Sequence, residues 1–179
     1  MAINICLIVV IILIGIVLLN YNRFIKTNNK VKEAESSIDV LLNQRFDLLP
    51  NLIETVKGYS KHESGTLEEL ASLRSSYNDT NFSVNETNKI DKGFGRLMAI
   101  AESYPELKAN TNFLSLQSSL ASIEDKLNRA RLNYNYYVTR YNNLVESIPS
   151  NIVAKIFNFE KQDLFKLDDN KRENIKVDF

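Results

Sequence analysis

The chain begins with an unbroken apolar run, Ala2 to Leu19, in which Asn4 is the only strongly polar side chain. Its eighteen residues, at about 1.5 Å each, make roughly 27 Å of helix, close to the hydrocarbon thickness of a bilayer. Whatever follows must therefore fold with one end fixed in lipid. Arg23, Lys26, Lys30 and Lys32 come after the run, and no charged side chain precedes it. The positive-inside bias then predicts an N-terminus outside the cell and the remaining residues in the cytoplasm, although Glu33 and Glu35 offset part of the excess. Tyr21 and Phe24 stand where interfacial aromatics belong.

Other readings of the run fit less well. A cleaved secretion signal needs a positive leading region, a shorter apolar core and a small-x-small cleavage site. Leu18-Leu19-Asn20-Tyr21-Asn22 offers no such site. A lipoprotein signal ends in cysteine, whereas Cys6 lies deep inside the run. A buried core helix of such uniform apolarity is out of proportion to a chain of 179 residues. The run reads as a single-pass anchor whose partner is the bilayer itself.

The rest amounts to one domain. A formal net charge of zero gives no electrostatic case for nucleic acid, and no basic stripe appears later. The single cysteine excludes disulfides within the chain and cysteine-based metal sites. Five glycines and three prolines are too few for an all-β fold with many turns.

Helical spacing dominates beyond the anchor. From Thr111 to Ile148, the apolar or aromatic positions are Phe113, Leu116, Leu120, Ile123, Leu127, Ala130, Tyr134, Tyr137, Tyr141, Leu144 and Ile148. Their steps alternate three and four without error, which predicts one long helix, capped by Asn110 or Thr111 and stopped at Pro149. A second long helix, Asn29 to about Lys61, follows Val31, Ala34, Ile38, Leu41, Arg45, Leu48, Leu52, Thr55 and Tyr59, with Pro50 expected to kink it. Shorter helices are expected over Ser64–Tyr77 and Glu86–Ser103, separated by a polar loop over Ser75–Asn85. Short connections favour antiparallel neighbours. The expected fold is all-α: a transmembrane helix, then an antiparallel up-and-down four-helix bundle with long first and last helices. The divisions are residues 1–22 (anchor), 23–30 (basic juxtamembrane segment), 31–158 (bundle) and 159–179 (tail). Phe157, Phe159, Leu164 and Phe165 would pack the tail back on the bundle.

Catalytic machinery is hard to assemble from these residues. A di-metal site in a helical bundle takes Glu-x-x-His from two helices, and the only histidine, His62, has no glutamate three residues before it. Lys61-His62-Glu63 lacks the second histidine of a zinc-hydrolase helix. No glycine-rich phosphate loop occurs, since Gly93-Phe94-Gly95 sits within a helical pattern. No catalytic, metal or cofactor-binding residue is assigned. His62 reads as a solvated turn residue before a partner contact.

Arg45, on the seam, is the sharper signal. A buried unpaired charge is costly, so Arg45 is expected to pair with Glu124 or Asp47 and fix the register of the helices, with a ligand contact as the alternative. Asp47, Asn51 and Glu54 fall along one strip beside Pro50. That strip is either a solvated face or a docking surface for another protein. Tyr134, Tyr137 and Tyr141 share a face with Asn133, Asn135, Asn142 and Asn143 around them. The surroundings are not basic enough for base stacking, so these tyrosines read as core with hydroxyls at the rim. Asn85-Glu86-Thr87 matches a glycosylation acceptor, which a cytoplasmic domain would not present to that machinery.

The blocks Glu33-Ala34, Ile38-Asp39-Val40, Gln44 through Tyr59 and His62-Glu63 also resemble the signature of the LemA family. Ala101 through Asn110, Asn112-Phe113-Leu114 and Leu116-Gln117 continue the likeness. So do Arg129-Ala130-Arg131, Tyr134-Asn135, Val138, Tyr141-Asn142, Pro149 through Ala154 and Val177-Asp178-Phe179. The resemblance implies a bacterial single-pass plasma- or inner-membrane protein, N-terminus out, with a cytoplasmic four-helix bundle. Some relatives are associated with magnetosome membranes. It carries over no activity, cofactor or catalytic residue. Glu35 stands where relatives often have an aromatic, and Asn158 where a glycine is common.

The functional expectation is a non-catalytic scaffold or adaptor, anchored through Ala2–Leu19, with an unidentified membrane or cytoplasmic protein partner at Asp47, Asn51 and Glu54. The alternatives are a small-ligand receptor or enzyme with a polar pocket around Arg45, and a homo-oligomeric membrane-organising protein.

Overall fold

A computed structural model describes residues 2–57, 65, 68, 71, 72, 74, 75, 77 and 83–166. His62, half of the helix expected over Ser64–Tyr77 and the last part of the tail lie outside the described residues. Among the described residues every regular element is helical: α1 (Ala2–Asp47), α2 (Leu49–Lys57), α3 (Val84–Glu102), α4 (Pro105–Lys108), α5 (Thr111–Glu146) and α6 (Ser150–Phe157). Gly65, Glu68, Ala71, Ser72, Arg74, Ser75 and Tyr77 are also helical, and residues 78–82 of the expected loop fall outside the description.

The apolar run does not end in a joint. It continues without a break into the packed helices as α1, 46 residues and about 69 Å long. Residues 3–14 are all exposed, a continuous apolar surface of the kind that water-soluble domains bury. From Phe24 onward, α1 packs antiparallel to α5, with Phe24 against Tyr141 at one end and Arg45 against Glu124 at the other. Phe24 is therefore core and not an interfacial aromatic: it is fully buried, edge-on to Tyr141 and stacked on Phe159 at 4.6 Å.

The buried row of α1 runs Val31, Ala34, Ile38, Leu42, Phe46. Beyond Ile38 the seam widens: Arg45 is buried on it and Leu41 and Leu48 pack partly against the core, while Leu42 and Phe46 are buried beside it, because a straight helix of 3.6 residues per turn drifts off a strict heptad. Phe46 then reaches Phe94 of α3, with ring centroids 6.2 Å apart. Pro50 does more than kink the helix. It lacks the N–H that would bond the Phe46 carbonyl, and α1 stops at Asp47; Leu48 forms a turn and α2 restarts with Pro50 in its first turn, where proline is tolerated.

The long return helix α5 follows its expected seam closely. Asn110 caps it, its side-chain carbonyl accepting from the Asn112 and Phe113 amides at 2.9 and 3.1 Å. Ile148 departs from that seam. It lies beyond the end of α5 and is exposed.

Polar contacts flank the core. The Tyr77 hydroxyl donates to the Asp39 carboxylate, and burial with this bond pushes that hydroxyl far above its ordinary range. Burial, with neighbouring Asp39 adding, raises the Glu35 carboxyl above the usual carboxylate value. The native state then holds this proton more tightly than the unfolded chain does. Stability falls as pH rises from the ordinary carboxylate range through the raised value. Glu35→Gln is accordingly expected to raise Tm at pH 7, with the gain vanishing below about pH 4, as read by paired thermal melts.

Candidate functional site

Arg45 sits on the inner face of α1 in the last turn before the Pro50 break, with its guanidinium 4.3 Å from the Phe94 ring centre. Asp91 of α3 approaches it to 2.9 Å and Glu124 of α5 to 3.1 Å. Arg131, two turns along α5 from Glu124, closes the figure at 2.8 Å from Asp91 and 3.9 Å from Glu124. Two guanidiniums and two carboxylates thus alternate around a ring joining three helices. The ring carries no net charge, and each arginine faces both acids. Asp47, the other mate expected for Arg45, points elsewhere; its carboxylate lies 3.5 Å from Arg74.

Neither Asp91 nor Arg131 is picked out by sequence as a member of the Arg45 cluster, although a signal exists. Glu124 follows the seam residue Ile123 and Arg131 follows Ala130, so both lie seven residues apart on the same flank of α5. Asp91 follows the buried Ile90 in the same manner on α3.

Beside this ring lies a half-open cleft of about 590 Å³, walled by its four charged residues together with Phe94, Met98 and Phe165. Arg45 Nε and Arg131 Nε are buried there without a hydrogen-bond partner among the protein atoms. No group of three or more His, Cys, Asp and Glu side chains with metal-binding geometry occurs among the described residues.

Phe165 reaches the cleft because the segment after α6 is held against α5 in extended form. Asn158 takes the left-handed conformation (φ 54°, ψ 43°) that ends α6, and Phe159 N–H bonds the Ala154 carbonyl at 2.9 Å. This geometry explains why glycine suits that position and why asparagine can replace it. Next, Asn142 clamps both backbone groups of Gln162, each at 2.9 Å. Asn135 does the same to Phe165, at 2.8 and 2.9 Å. The register is a matter of rise: seven helical residues advance about 10.5 Å, and three extended residues about 10 Å. Two side-chain amides thereby substitute for a neighbouring strand. The Tyr134 hydroxyl, pushed up to about 12 by burial and the nearby Glu35 and Asp163 charges, donates to the Asp163 carbonyl at 3.0 Å. Of the four tail residues expected to pack, Phe159 and Phe165 join the core, Phe157 meets the Tyr21 ring while staying partly exposed, and Leu164 is exposed.

The expected docking strip is divided by the α1–α2 break. Asn51 and Glu54 of α2 line an open polar groove of about 640 Å³ against Asn110, Asn112 and Ser115 at the start of α5. Asp47 borders a neighbouring groove with Gln44, Ser122 and Lys126.

The family model for the LemA family matches residues 34–179, from the first packed turns of α1 to the end of the chain. The chain belongs to the LemA family. Among its relatives is Protein LemA of Metamycoplasma hominis, 25% identical over 160 residues that cover 86% of this chain and 72% of that protein. Magnetosome protein MamQ 2 of Paramagnetospirillum magneticum is 23% identical, covering 88% of this chain and 68% of its own length. Magnetosome protein MamQ of Magnetospirillum gryphiswaldense is 22% identical, covering 83% and 65%. The matched stretch contains all four charged residues of the ring and both asparagine clamps. Together with the exposed apolar N-terminal helix, these relatives point to a membrane-associated protein.

Proposed function

We propose that this LemA-family chain is a non-catalytic scaffold on the cytoplasmic face of a bacterial membrane, its anchor N-terminus outside and its packed helices forming an antiparallel up-and-down four-helix bundle. The observation that carries this reading is the continuity of α1. The same helix supplies the exposed apolar surface and one wall of the core, so the domain is coupled rigidly to the bilayer. Confinement of this kind raises the effective concentration of whatever the domain binds. The charge ring supports the reading, since its two cations and two anions pair with one another across three helices. Asp47, Asn51 and Glu54 remain the contact surface that we assign to a protein partner, all three being exposed.

The test is the triple variant Asp47→Ala, Asn51→Ala, Glu54→Ala in cells. Stability should change by no more than about 0.5 kcal/mol, as for other exposed positions, while in-cell crosslinking loses its main partners. An unchanged set of crosslinked partners removes the surface from consideration. The same cells report topology. On a Cys6→Ser background, Leu114→Cys should resist an impermeant thiol reagent until the membrane is opened.

A second reading has an observation in its favour. The cleft beside Arg45 joins charged and aromatic walls with two buried guanidinium Nε groups lacking partners, which suits a small anionic or amphipathic ligand. The Arg45 variant argued in the Discussion separates the two readings.

A further inference from the structure

The short helix α6 buries Ser150, Val153 and Ala154 against its neighbours, and its opposite side is apolar and uncovered. Ile152 and Ile156 are 58% and 61% exposed, and Ile148 in the preceding turn is 84% exposed. Ile152 and Ile156, spaced by four, share one face of α6, and Ile148 adds a further bare apolar side chain in the turn before it. A soluble protein rarely leaves such a face bare, so the question is what covers it.

Its location answers. Phe157 meets the Tyr21 ring at 4.8 Å, and Val17, inside the apolar run, packs on the same core. The α6 helix therefore lies beside the final turns of the segment read as the membrane span. That span, at roughly 27 Å, falls a few ångströms short of a typical 30 Å hydrocarbon layer. An apolar face beside Tyr21, just past the end of the run, adds to the lipid-facing surface. Exposed cations stand on the same two elements: Arg23 and Lys26 on α1 and Lys155 on α6. They suit the phosphate zone of a leaflet, where long basic side chains bury their stems and keep their charges wet.

We propose that α6 is an interfacial foot that rests in the phospholipid surface, with Ile148, Ile152 and Ile156 at the acyl-chain boundary. This rests on the reading of Ala2–Leu19 as a span. The bilayer is then contacted at two places, and the second fixes how the packed helices are rotated about α1.

The chain contains no tryptophan, so single replacements are clean reporters. Full-length Ile12→Trp (span), Ile152→Trp and Ile156→Trp (foot) and Leu114→Trp (far end of α5) are reconstituted into phospholipid vesicles with and without brominated acyl chains. Bromine should reduce the Ile12→Trp, Ile152→Trp and Ile156→Trp emission to about half or less, as for residues seated at the acyl boundary, and leave Leu114→Trp unchanged. Both foot reporters behaving like Leu114→Trp while Ile12→Trp is quenched would overturn the foot alone. Foot emission that is shielded from bromine and shifts on dilution with excess lipid would overturn it in favour of a second copy. An unquenched Ile12→Trp would overturn the span, and the foot with it.

Discussion

Arg45→Met is expected to destabilise the packed helices by about 3 kcal/mol, measured by chemical denaturation of the full chain in detergent micelles. Removing one member of a buried ion pair costs about 3–5 kcal/mol because the partner is left charged and desolvated. The lower end applies, because the Arg45 side chain is 10% exposed but those of Asp91 and Glu124 are 26% and 35% exposed. With Arg45 gone, both carboxylates face Arg131 alone. The compensating variant Arg45→Met with Glu124→Leu removes one charge of each sign and keeps the Arg131–Asp91 pair. It should return to within about 1 kcal/mol of the unaltered protein. This asymmetry is what a register-fixing ring demands. A neutral or stabilising Arg45→Met would instead mark a site held under strain for a ligand, and would favour the receptor reading.

The second large effect concerns the tail. In Asn135→Ala with Asn142→Ala, four hydrogen bonds to the Gln162 and Phe165 peptides are lost. Each bond contributes about 0.5–1.5 kcal/mol net, so local stability around Phe165 should fall by about 2 kcal/mol. Exchange of the Phe165 amide hydrogen should then accelerate by about 30-fold, and proteases should cut between Phe159 and Lys166. The helicity of α1 and α5 should stay unchanged, since neither asparagine belongs to the apolar core. Unaltered exchange at Phe165 would mean that the Phe159 and Phe165 rings hold the segment without help.

The elements differ in how far they could be read in advance. The α5 seam was legible from Phe113 to Leu144 because a long helix packed along one side repeats its burial with few errors. Arg45 was legible as a charge in need of a mate, and Glu124 could be named because its flank faces α1. For Asp91 the place beside Ile90 marks a flank of α3, but which helix that flank faces depends on how α3 crosses α1, and no local spacing encodes that crossing. Asn135 and Asn142 were visible as polar neighbours of the tyrosines. Their clamping role was hidden because it depends on a match between helical rise and extended-chain rise, which exists only once the tail has returned. Pro50 was seen as a disturbance, but whether a proline bends or ends a helix is decided by what the next turn packs against. The position of Phe24 just after the run suggests the lipid interface, whereas its ring is claimed by Phe159 from the far end of the chain.

The unbroken passage of α1 out of the apolar run also has a mechanical side. Under the proposed spanning of the bilayer by Ala2–Leu19, the unjointed stretch from Tyr21 to Asp47 acts as a lever about 40 Å long pivoting at the lipid boundary. A tilt of about 20°, ordinary for a single spanning helix, carries Asp47 sideways by about 14 Å. Under the same proposal, the thickness of the surrounding lipid governs where the grooves beside the Pro50 break are presented above the membrane.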